Sequence, residues 1–471
     1  MEQYRHFIEC CQKLIGAEYV YISDADKNPF LTDWSKRYTG NAIAVLRPKN
    51  TQEVAELVTL CCEENISIVP QGGNTSLCGG ATPQSKGSSA VISMSRLNQI
   101  RELDLDNSTI TLDAGVILSH AQDAALNAGK LFPLSLAAEG SCTIGGNLGT
   151  NAGGVQVLRY GNMRDLTLGV EVVTPTGSVF NGLRGLRKDN TGYSLKDIYI
   201  GSEGTLGIIT AATLKLYPLP QSKVTSLVTI KDIDCAIKLI HQARERCNAD
   251  LTAFELISTR AINLVPNKAR NLRSKLDILS GWVVLLEFSS MDKEEQSQLQ
   301  LETFLGEAFE LELITDAVIS TSIQQSKDLW SIRENIPEAQ LKLGNIVKHD
   351  ISLPISNIAN FIEETEVKLN MLWPSMQTII FGHVGDGNLH YNLAPISPEL
   401  SEEIEEKRPL INELVHNQVY KYSGSFSAEH GIGQAKREEL PLRKSSVEIE
   451  LMRKIKKALD PKNIMNPGKI L

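Results

Sequence analysis

The 471-residue sequence lacks the features that mark several classes of protein. No apolar run approaches the roughly 18 residues of a membrane span, and the N-terminus has no apolar h-region, so we expect neither a spanning helix nor a signal peptide. The formal net charge of −9 leaves no basic excess for a nucleic acid. The eight cysteines form no C-x-x-C and no disulfide framework. This usage favours reduced thiols in a cytoplasmic protein.

The fingerprints of the common nucleotide-binding folds are also missing. There is no G-x-G-x-x-G after a strand and no G-x-x-x-x-G-K-[ST]. Three loops instead combine glycine with Ser, Thr and Asn, at residues 70–76, 140–154 and 201–207. Glycine lets a backbone approach a phosphate closely, and a single Gly-Gly often makes only a turn. Three such loops together favour a site for a phosphate-bearing cofactor.

Residues 1–217 show alternating strand and helix patterns around these loops. Asn50 with Glu53, and Ser119 with Gln122, are typical of helix starts, and Gly129 is typical of a helix end. The expected strands are 42–46, 66–69, 109–113 and 208–216.

Residues after the boundary signal Tyr217-Pro218-Leu219-Pro220 show a different spacing. The strand–helix–strand order predicts a ferredoxin-like antiparallel sheet with helices on one side. Ser445 with Glu448 predicts the start of the last long helix, which Asp460 ends. The expected strands are about 224–230, 251–257, 281–288, 315–321, 346–353 and 377–382, and the expected helices about 231–246, 293–307, 322–343 and 356–369.

The densest chemistry lies in Gly382–Asn392, where Asp386-Gly387-Asn388 predicts a tight turn. A hairpin here would bring His383 and His390 together, with His390 and Asn392 on one face. Two histidines and a carboxylate, such as Glu429, are the ligand set of an open catalytic metal site. A buried His is more often a hydrogen-bonded core residue than a ligand, so both interpretations stay open.

Together, the three glycine loops and the motifs at residues 382–392 and 427–431 resemble one known family. They are similar to FAD-binding oxidoreductases of the vanillyl-alcohol oxidase (PCMH-type) superfamily, in the branch of D-2-hydroxyglutarate, D-lactate and glycolate dehydrogenases. The resemblance implies an α+β protein. It would have a PCMH-type FAD-binding domain of two α/β subdomains (1–217), a substrate- and metal-binding cap with the ferredoxin-like sheet (218–420), and a helical C-terminal segment that completes the active site (421–471).

The resemblance also implies noncovalent FAD, since the branch generally binds it without a covalent bond. Cys78 is the one residue of the covalently attaching types near the first loop. The pyrophosphate would lie on Gly72, Gly73, Asn74, Thr75 and Ser76. The rest of the flavin would be lined by Pro133, Glu139, Ser141, Thr143, Gly146, Asn147, Gly153 and Ile208.

In that branch, the positions of His383, His390 and Glu429 hold a divalent metal: zinc, manganese or iron, with zinc favoured here. The positions of Arg333 and Lys348 bind the substrate carboxylate, although an Arg on a helix usually forms only a surface ion pair. Asn392 would touch substrate and His430 would bind it and act as general base. Pro337 stands where the 2-hydroxyglutarate enzymes carry a hydroxyl residue, which leaves the substrate open.

The implied reaction is oxidation of a D-2-hydroxy acid, such as D-2-hydroxyglutarate, D-lactate or D-malate, to the 2-oxo acid by hydride transfer to flavin. The acceptor of the electrons would be an electron-transfer flavoprotein or a quinone. The oligomeric state is open, a homodimer included. An oxidase that uses O₂ and a zinc hydrolase that uses His383, His390 and Glu429 remain the alternatives.

Overall fold

The computed structural model describes residues 2–247, 250–265 and 281–471. These residues form two compact units. Unit 1 contains residues 1–153, 160–218 and 429–471, and unit 2 contains residues 154–159 and 219–428. The sequence-based boundaries of 217/218 and 420/421 differ from this division, because residues 429–471 cluster with the N-terminal residues.

The longer helices are α1 (Arg5–Ile15), α2 (Asp24–Leu31), α3 (Thr51–Glu63), α4 (Leu118–Asn127), α5 (Ile144–Thr150), α6 (Ile233–Cys247), α7 (Glu294–Glu310), α8 (Ile323–Glu334), α9 (Ile358–Leu372), α10 (Ser401–Lys421) and α11 (Ser446–Leu459). Single helical turns lie at Val157–Tyr160, Met163–Leu166, Lys196–Tyr199, Thr259–Asn263, Ile336–Ala339 and Leu440–Arg443. None of the helices in the described ranges is long and apolar enough to cross a membrane.

The strands of unit 1 are β1 (Val20–Tyr21), β2 (Val45–Leu46), β3 (Ser67–Gln71), β4 (Ser89–Ser93), β5 (Ile100–Asp104), β6 (Thr109–Asp113), β7 (Lys130–Leu131), β8 (Thr167–Val173), β9 (Val179–Asn181), β10 (Ile208–Lys215) and β11 (Tyr217–Pro218). They form a four-stranded sheet of order β1-β2-β4-β3 and an antiparallel five-stranded sheet of order β5-β6-β10-β8-β9, and β7 pairs with β11. The end of the chain joins the first sheet through a parallel bridge between Ile68 and Met465.

The strands of unit 2 are β12 (Ser222–Ile230), β13 (Leu251–Ser258), β14 (Trp282–Ser290), β15 (Asp316–Ile319), β16 (Asp350–Ser352), β17 (Met376–Gly382) and β18 (Asn388–Pro395). They form one antiparallel sheet of order β15-β12-β14-β13-β17-β18-β16. Helices α6, α7, α9 and α10 share a core with alternate residues of these strands, while α8 packs with the residues between them. Helices therefore cover both faces, and the expectation of helices on one side is wrong.

The sequence predicted the helix starts correctly where the side chain of the capping residue accepts a hydrogen bond from a helix amide. Asn50 Oδ1 accepts from Glu53 N at 2.8 Å, and Ser445 with Glu448 forms a capping box. The predicted box at Ser119 is wrong: α4 begins at Leu118 with no side-chain cap. The first two amides of α4 donate instead to the carbonyls of Cys142 and Glu139, so the acceptors come from a later loop.

Candidate functional site

Unit 1 contains a cavity of about 300 Å³ that is lined mainly by loops. All its lining residues belong to unit 1. Most come from the three glycine loops that the sequence singled out, and the 429–430 segment contributes the rest of the polar lining. The lining includes Gln71, Gly72, Gly73, Asn74, Thr75, Ser76, Cys142, Thr143, Gly146, Asn147, Gly153, Ser202, Glu203, Gly204, Ile208, Glu429 and His430.

The glycines of the first loop leave no room for a side chain. A Cβ on Gly72 would lie 2.3 Å from Thr143 Oγ1, and one on Gly73 would lie 2.0 Å from the carbonyl oxygen of Ser141. Both distances are well below van der Waals contact. The loop at residues 72–73 therefore passes directly against the loop at residues 141–143, and both glycines line the cavity.

Two buried polar atoms at the cavity wall have no hydrogen-bond partner among the described residues. They are Thr143 Oγ1 and Asn74 Oδ1. Asn74 adopts a left-handed φ of 53°, and its Nδ2 donates to Thr32 O at 2.8 Å, so its amide is held in place. A buried unpaired polar atom is costly unless a ligand pairs with it. A hydroxyl that can donate, an amide oxygen that can accept and the glycine cradle fit a polar, phosphate-bearing cofactor such as FAD, which offers both acceptors and donors.

Glu203 links the third glycine loop to the C-terminal segment within unit 1. Its carboxylate accepts from Ile432 N at 2.7 Å and from Gly433 N at 2.8 Å. Burial raises the pKa of this carboxyl, although the two amides and nearby lysines act to lower it. Cys78 Sγ also contacts Gly431 O, at 3.6 Å. These contacts hold the loop that carries Glu429 and His430 at the cavity.

Unit 2 places a second polar group on the face of its sheet that packs against α8. Phe381 pairs with His390, and Ile379 with Asn392, across β17 and β18. His390 and Asn392 are two positions apart on β18, so their side chains lie on the same face of the sheet. Their partners Phe381 and Ile379 share that face, because directly paired residues of antiparallel strands do. The bridges Val347–Leu393 and Asp350–His390 place Lys348 opposite Asn392. Its side chain is exposed.

Glu255 is the centre of this group and is completely buried. Its Oε2 accepts from Arg333 Nε at 2.7 Å, and its Oε1 pairs with His383 Nδ1 at 2.5 Å. Burial raises the pKa of Glu255, but its interactions with His383 and Arg333 outweigh burial and lower that pKa to about 2. Glu255 is therefore an ionised carboxylate between two cationic or dipolar partners.

Three contacts that involve aromatic rings complete the group. The guanidinium of Arg333 lies 4.7 Å from the centre of the Phe381 ring. The ring centres of Phe381 and His390 are 4.9 Å apart, and those of His383 and His390 are 5.9 Å apart. We call Glu255, Arg333, Phe381, His383 and His390 the Glu255 cluster.

Two neighbours of the Glu255 cluster are themselves constrained. The side-chain oxygen of Asn392 accepts from His349 N at 3.2 Å, and its Nδ2 donates to Gln340 Oε1 at 3.0 Å. Asp386, in the turn between β17 and β18, accepts from Asn388 N at 3.1 Å. Burial raises the pKa of Asp386 to about 6.

Comparison with known proteins identifies the family of this chain. Residues 219–470 match the model for FAD linked oxidases, C-terminal domain, and residues 42–182 match the model for an FAD binding domain. The first match covers more than half of the chain. The chain belongs to the FAD-linked oxidase family.

Named relatives are similar over nearly all of the chain. The mitochondrial D-2-hydroxyglutarate dehydrogenase of Arabidopsis thaliana is 38% identical over 93% of this chain and 77% of the relative. The D-2-hydroxyglutarate dehydrogenase of Stutzerimonas stutzeri is 35% identical over 95% of both chains. A putative mitochondrial D-lactate dehydrogenase of Schizosaccharomyces pombe is 36% identical over 94% of this chain and 85% of the relative.

Solved structures share the fold. A p-cresol methylhydroxylase structure has a TM-score of 0.78 at 16% identity and covers 100% of this chain and 97% of its own. An alkyldihydroxyacetonephosphate synthase structure has a TM-score of 0.77 at 18% identity, with coverage of 99% and 85%. The α+β fold class expected from the sequence is confirmed.

Most residues predicted to line FAD in this FAD-linked oxidase lie at the cavity. Those at the wall are Gly72, Gly73, Asn74, Thr75, Ser76, Thr143, Gly146, Asn147, Gly153 and Ile208. Pro133, Glu139 and Ser141 are not among the lining residues; Glu139 instead accepts from Gln122 Nε2 at 3.2 Å. The roles of all these residues toward FAD stay predictions.

The structure brings several predicted substrate and metal residues together within unit 2. Arg333, Lys348, His383, His390 and Asn392 all lie at the α8 face or the turn beside it. Arg333 does form an ion pair with a Glu, but a buried one rather than a surface one. Sequence reasoning missed Glu255 and Gln340. For Glu255 the available signal was a single carboxylate inside the apolar strand Ala253-Phe254-Glu255-Leu256-Ile257.

Proposed function

We propose that this FAD-linked oxidase is a metal-assisted dehydrogenase that oxidises a D-2-hydroxy acid to the corresponding 2-oxo acid. The observation that carries the proposal is the arrangement of Arg333 beside two histidines on one sheet face. The relatives named above for D-2-hydroxyglutarate and D-lactate support the substrate class. FAD, when bound, accepts the hydride from C2 of the substrate.

Arg333 suits a carboxylate because only one part of its guanidinium is engaged. Nε donates to Glu255, while neither Nη forms a hydrogen bond within the part of the chain that the structure describes. Both Nη groups can therefore make a bidentate, charge-assisted pair with a carboxylate. Lys348 adds a second cation on the same sheet face.

His383 and His390 would hold the divalent metal. Because His383 Nδ1 pairs with an ionised carboxylate, that nitrogen carries the proton and Nε2 carries the lone pair needed for coordination. Glu429, which the resemblance names as the third ligand, is a predicted ligand from unit 1. A metal there, with zinc favoured over manganese or iron, would stabilise the alkoxide that develops as hydride leaves.

His430 would accept the proton of the substrate hydroxyl, a role for which a neutral imidazole is needed. Its position in the lining of the unit 1 cavity supports this assignment. Asn392 would bind substrate through its remaining amide N–H. FAD would be bound noncovalently, and an electron-transfer flavoprotein or quinone would reoxidise it. A cytoplasmic location and a homodimer remain predictions.

The test is the visible spectrum of the purified protein under anaerobic conditions. We expect a yellow protein whose flavin band bleaches with D-2-hydroxyglutarate, D-lactate or D-malate but not with the L-enantiomers. A colourless protein, or a flavin that none of the D-acids bleaches, would contradict the proposal. Stoichiometric peroxide formation in air would assign the protein to the oxidases instead.

A further inference from the structure

We propose that Glu255 is a positioning residue that orients the carboxylate-binding arginine and the metal-binding histidine at the same time. The inference rests on the proposed function, because it takes Arg333 as substrate-binding and His383 as a metal ligand. Glu255 itself touches neither substrate nor metal. Its role is to couple the two groups that do.

Glu255 fixes two side chains through its geometry. Each carboxylate oxygen of Glu255 has a different partner: Oε2 binds Arg333 Nε at 2.7 Å and Oε1 binds His383 Nδ1 at 2.5 Å. One rigid carboxylate on a central strand therefore sets the direction of both side chains. β13 lies between β14 and β17 in the sheet, so its backbone is held on both sides.

The guanidinium of Arg333 is held in one orientation. Its guanidinium has two constraints, the bond at Nε and the face of the Phe381 ring at 4.7 Å from the centre. A bond at one edge and a contact at one face fix both the position and the plane of the group. The two Nη atoms are then presented as a fork in one orientation, which lowers the entropy cost of binding a carboxylate.

The imidazole of His383 is oriented by the same carboxylate. A carboxylate at Nδ1 selects the tautomer with the lone pair on Nε2 and orients the ring. Carboxylates bonded to metal-ligating histidines typically account for 10- to 100-fold in metal affinity. The Phe381 ring, which also contacts His390, fixes the neighbouring histidine in the same group.

The carboxylate of Glu255 also balances charge on this sheet face. Arg333 is only 7% exposed, and a buried unpaired cation is unfavourable. A divalent metal at His383 and His390 would add two further positive charges near it. The buried carboxylate of Glu255 offsets this repulsion, so a cation that recognises substrate and a metal can occupy the same sheet face.

The chain offers a matched control for a merely structural role. Glu287 lies on β14, pairs with Ala253 of β13, and is 7% exposed. Its carboxylate accepts from Trp330 Nε1 at 2.8 Å and from Thr252 Oγ1 at 3.3 Å. Glu287→Gln therefore removes a buried, hydrogen-bonded carboxylate of the same sheet without touching Arg333 or His383.

The experiment compares wild type, Glu255→Gln and Glu287→Gln, with His383→Ala as the reference for loss of a ligand. Zn²⁺ affinity is measured by competition with a chromophoric chelator, and KM and kcat are measured with the D-2-hydroxy acid that bleaches the flavin. For Glu255→Gln we expect a 10- to 100-fold loss of Zn²⁺ affinity. We also expect KM to rise by about 10-fold or more. Glu287→Gln should stay within about twofold of wild type in both.

Unfolding temperature is recorded for every variant. If Glu255→Gln lowers only the unfolding temperature and keeps wild-type Zn²⁺ affinity and KM, Glu255 is structural and the inference is overturned. Glu255→Asp provides a second readout. It keeps the charge but is one methylene shorter, so its carboxylate cannot reach Arg333 and His383 equally well. We expect it to recover either Zn²⁺ affinity or KM more fully than the other. Recovery of neither property by Glu255→Asp, with parallel losses in Glu287→Gln, would also overturn the inference.

Failure of the proposed function gives a different result. A wild-type protein that neither binds Zn²⁺ through His383 nor oxidises a D-2-hydroxy acid overturns the function, and this role of Glu255 with it. A wild-type protein that does both, beside a Glu255→Gln variant that does both equally well, overturns the inference alone.

Discussion

Lys469 carries a buried charge whose cost depends on pH. It is 2% exposed, and its Nζ has no hydrogen-bond partner among the described residues. Burial lowers the pKa of Lys469 to about 8, although Glu203 acts to raise it. The unfolded chain holds this proton up to a pH of about 10.4, so stability should rise with pH between about 8 and 10.4.

Lys469→Met should therefore stabilise the flavin-free protein at pH 7, by at most about 3 kcal/mol at 1.36 kcal/mol per pKa unit. The gain should shrink to under about 1 kcal/mol at pH 10, where the wild-type lysine is neutral in the folded state and only partly protonated in the unfolded chain. Urea unfolding at pH 7 and pH 10 measures it. Lys454→Met, at an exposed position of α11, is the control. A gain of the same size at both pH values would contradict the prediction.

His430→Asn tests the general base. The variant keeps a polar side chain but cannot accept the hydroxyl proton, so kcat should fall by roughly 100-fold or more. The remaining activity should also lose the decline at acidic pH that a protonating imidazole causes. Zn²⁺ content is measured alongside. If His430→Asn loses the metal while Glu429→Gln retains it, the two residues have the opposite roles.

Single residues also show what a sequence can and cannot reveal. His383, His390 and Asn392 were recognisable because they lie within ten positions of one another around a turn signal. Glu255 lies on β13 and Arg333 on α8, 78 positions apart, and only the packing of α8 against the sheet brings them together. No local pattern encodes that packing, so the residue that organises the Glu255 cluster could not be found from sequence.

At the scale of the element, we expect the glycine loops to determine the affinity for flavin. Gly73→Ala would place a Cβ 2.0 Å from a backbone oxygen, so one of the two loops must move. Overpacking of this kind costs about 1–3 kcal/mol, and we expect the dissociation constant for FAD to rise roughly 5- to 150-fold. Flavin titration of the apoprotein measures it.

Gly140→Ala is the control for that prediction. Gly140 lies in the second glycine loop, and a Cβ there would meet nothing within 4 Å. It should bind FAD as wild type does. Equal affinity of the Gly73→Ala and Gly140→Ala variants would show that the close approach at residue 73 is not part of the cofactor site.

Helix boundaries were predictable where the cap is local. Asn50 and Ser445 lie within three positions of the amides they bind, so sequence spacing contains the information. At α4 the acceptors are backbone carbonyls of residues 139 and 142, about 20 positions away. Tertiary contacts replaced the local cap there, which is why the prediction at Ser119 failed.

At the scale of the molecule, the order of elements was more predictable than their grouping. The strands of the cap were expected close to their observed positions, because alternating apolar residues mark them. The assignment of residues 429–471 to unit 1 depends instead on contacts such as the Ile68–Met465 bridge, between residues about 400 positions apart. A contact between residues so far apart along the chain produces no periodic pattern in the sequence from which it could be predicted.

Flavin binding should therefore stabilise unit 1 as a whole, because its cavity is lined by segments from residue 70 to residue 430. A ligand that binds only the folded state adds about 2.7 kcal/mol at 100 times its dissociation constant and about 4.1 kcal/mol at 1,000 times. FAD should raise the Tm of the apoprotein accordingly. Riboflavin lacks the pyrophosphate that would use the cradle at Gly72 and Gly73, so its effect should be much smaller.

Unfolding of the yellow protein in acid should release the flavin into the supernatant, because Cys78 is expected to form no covalent bond to it. Colour that stays with the precipitated protein, and is lost in Cys78→Ala, would show a covalent flavin instead.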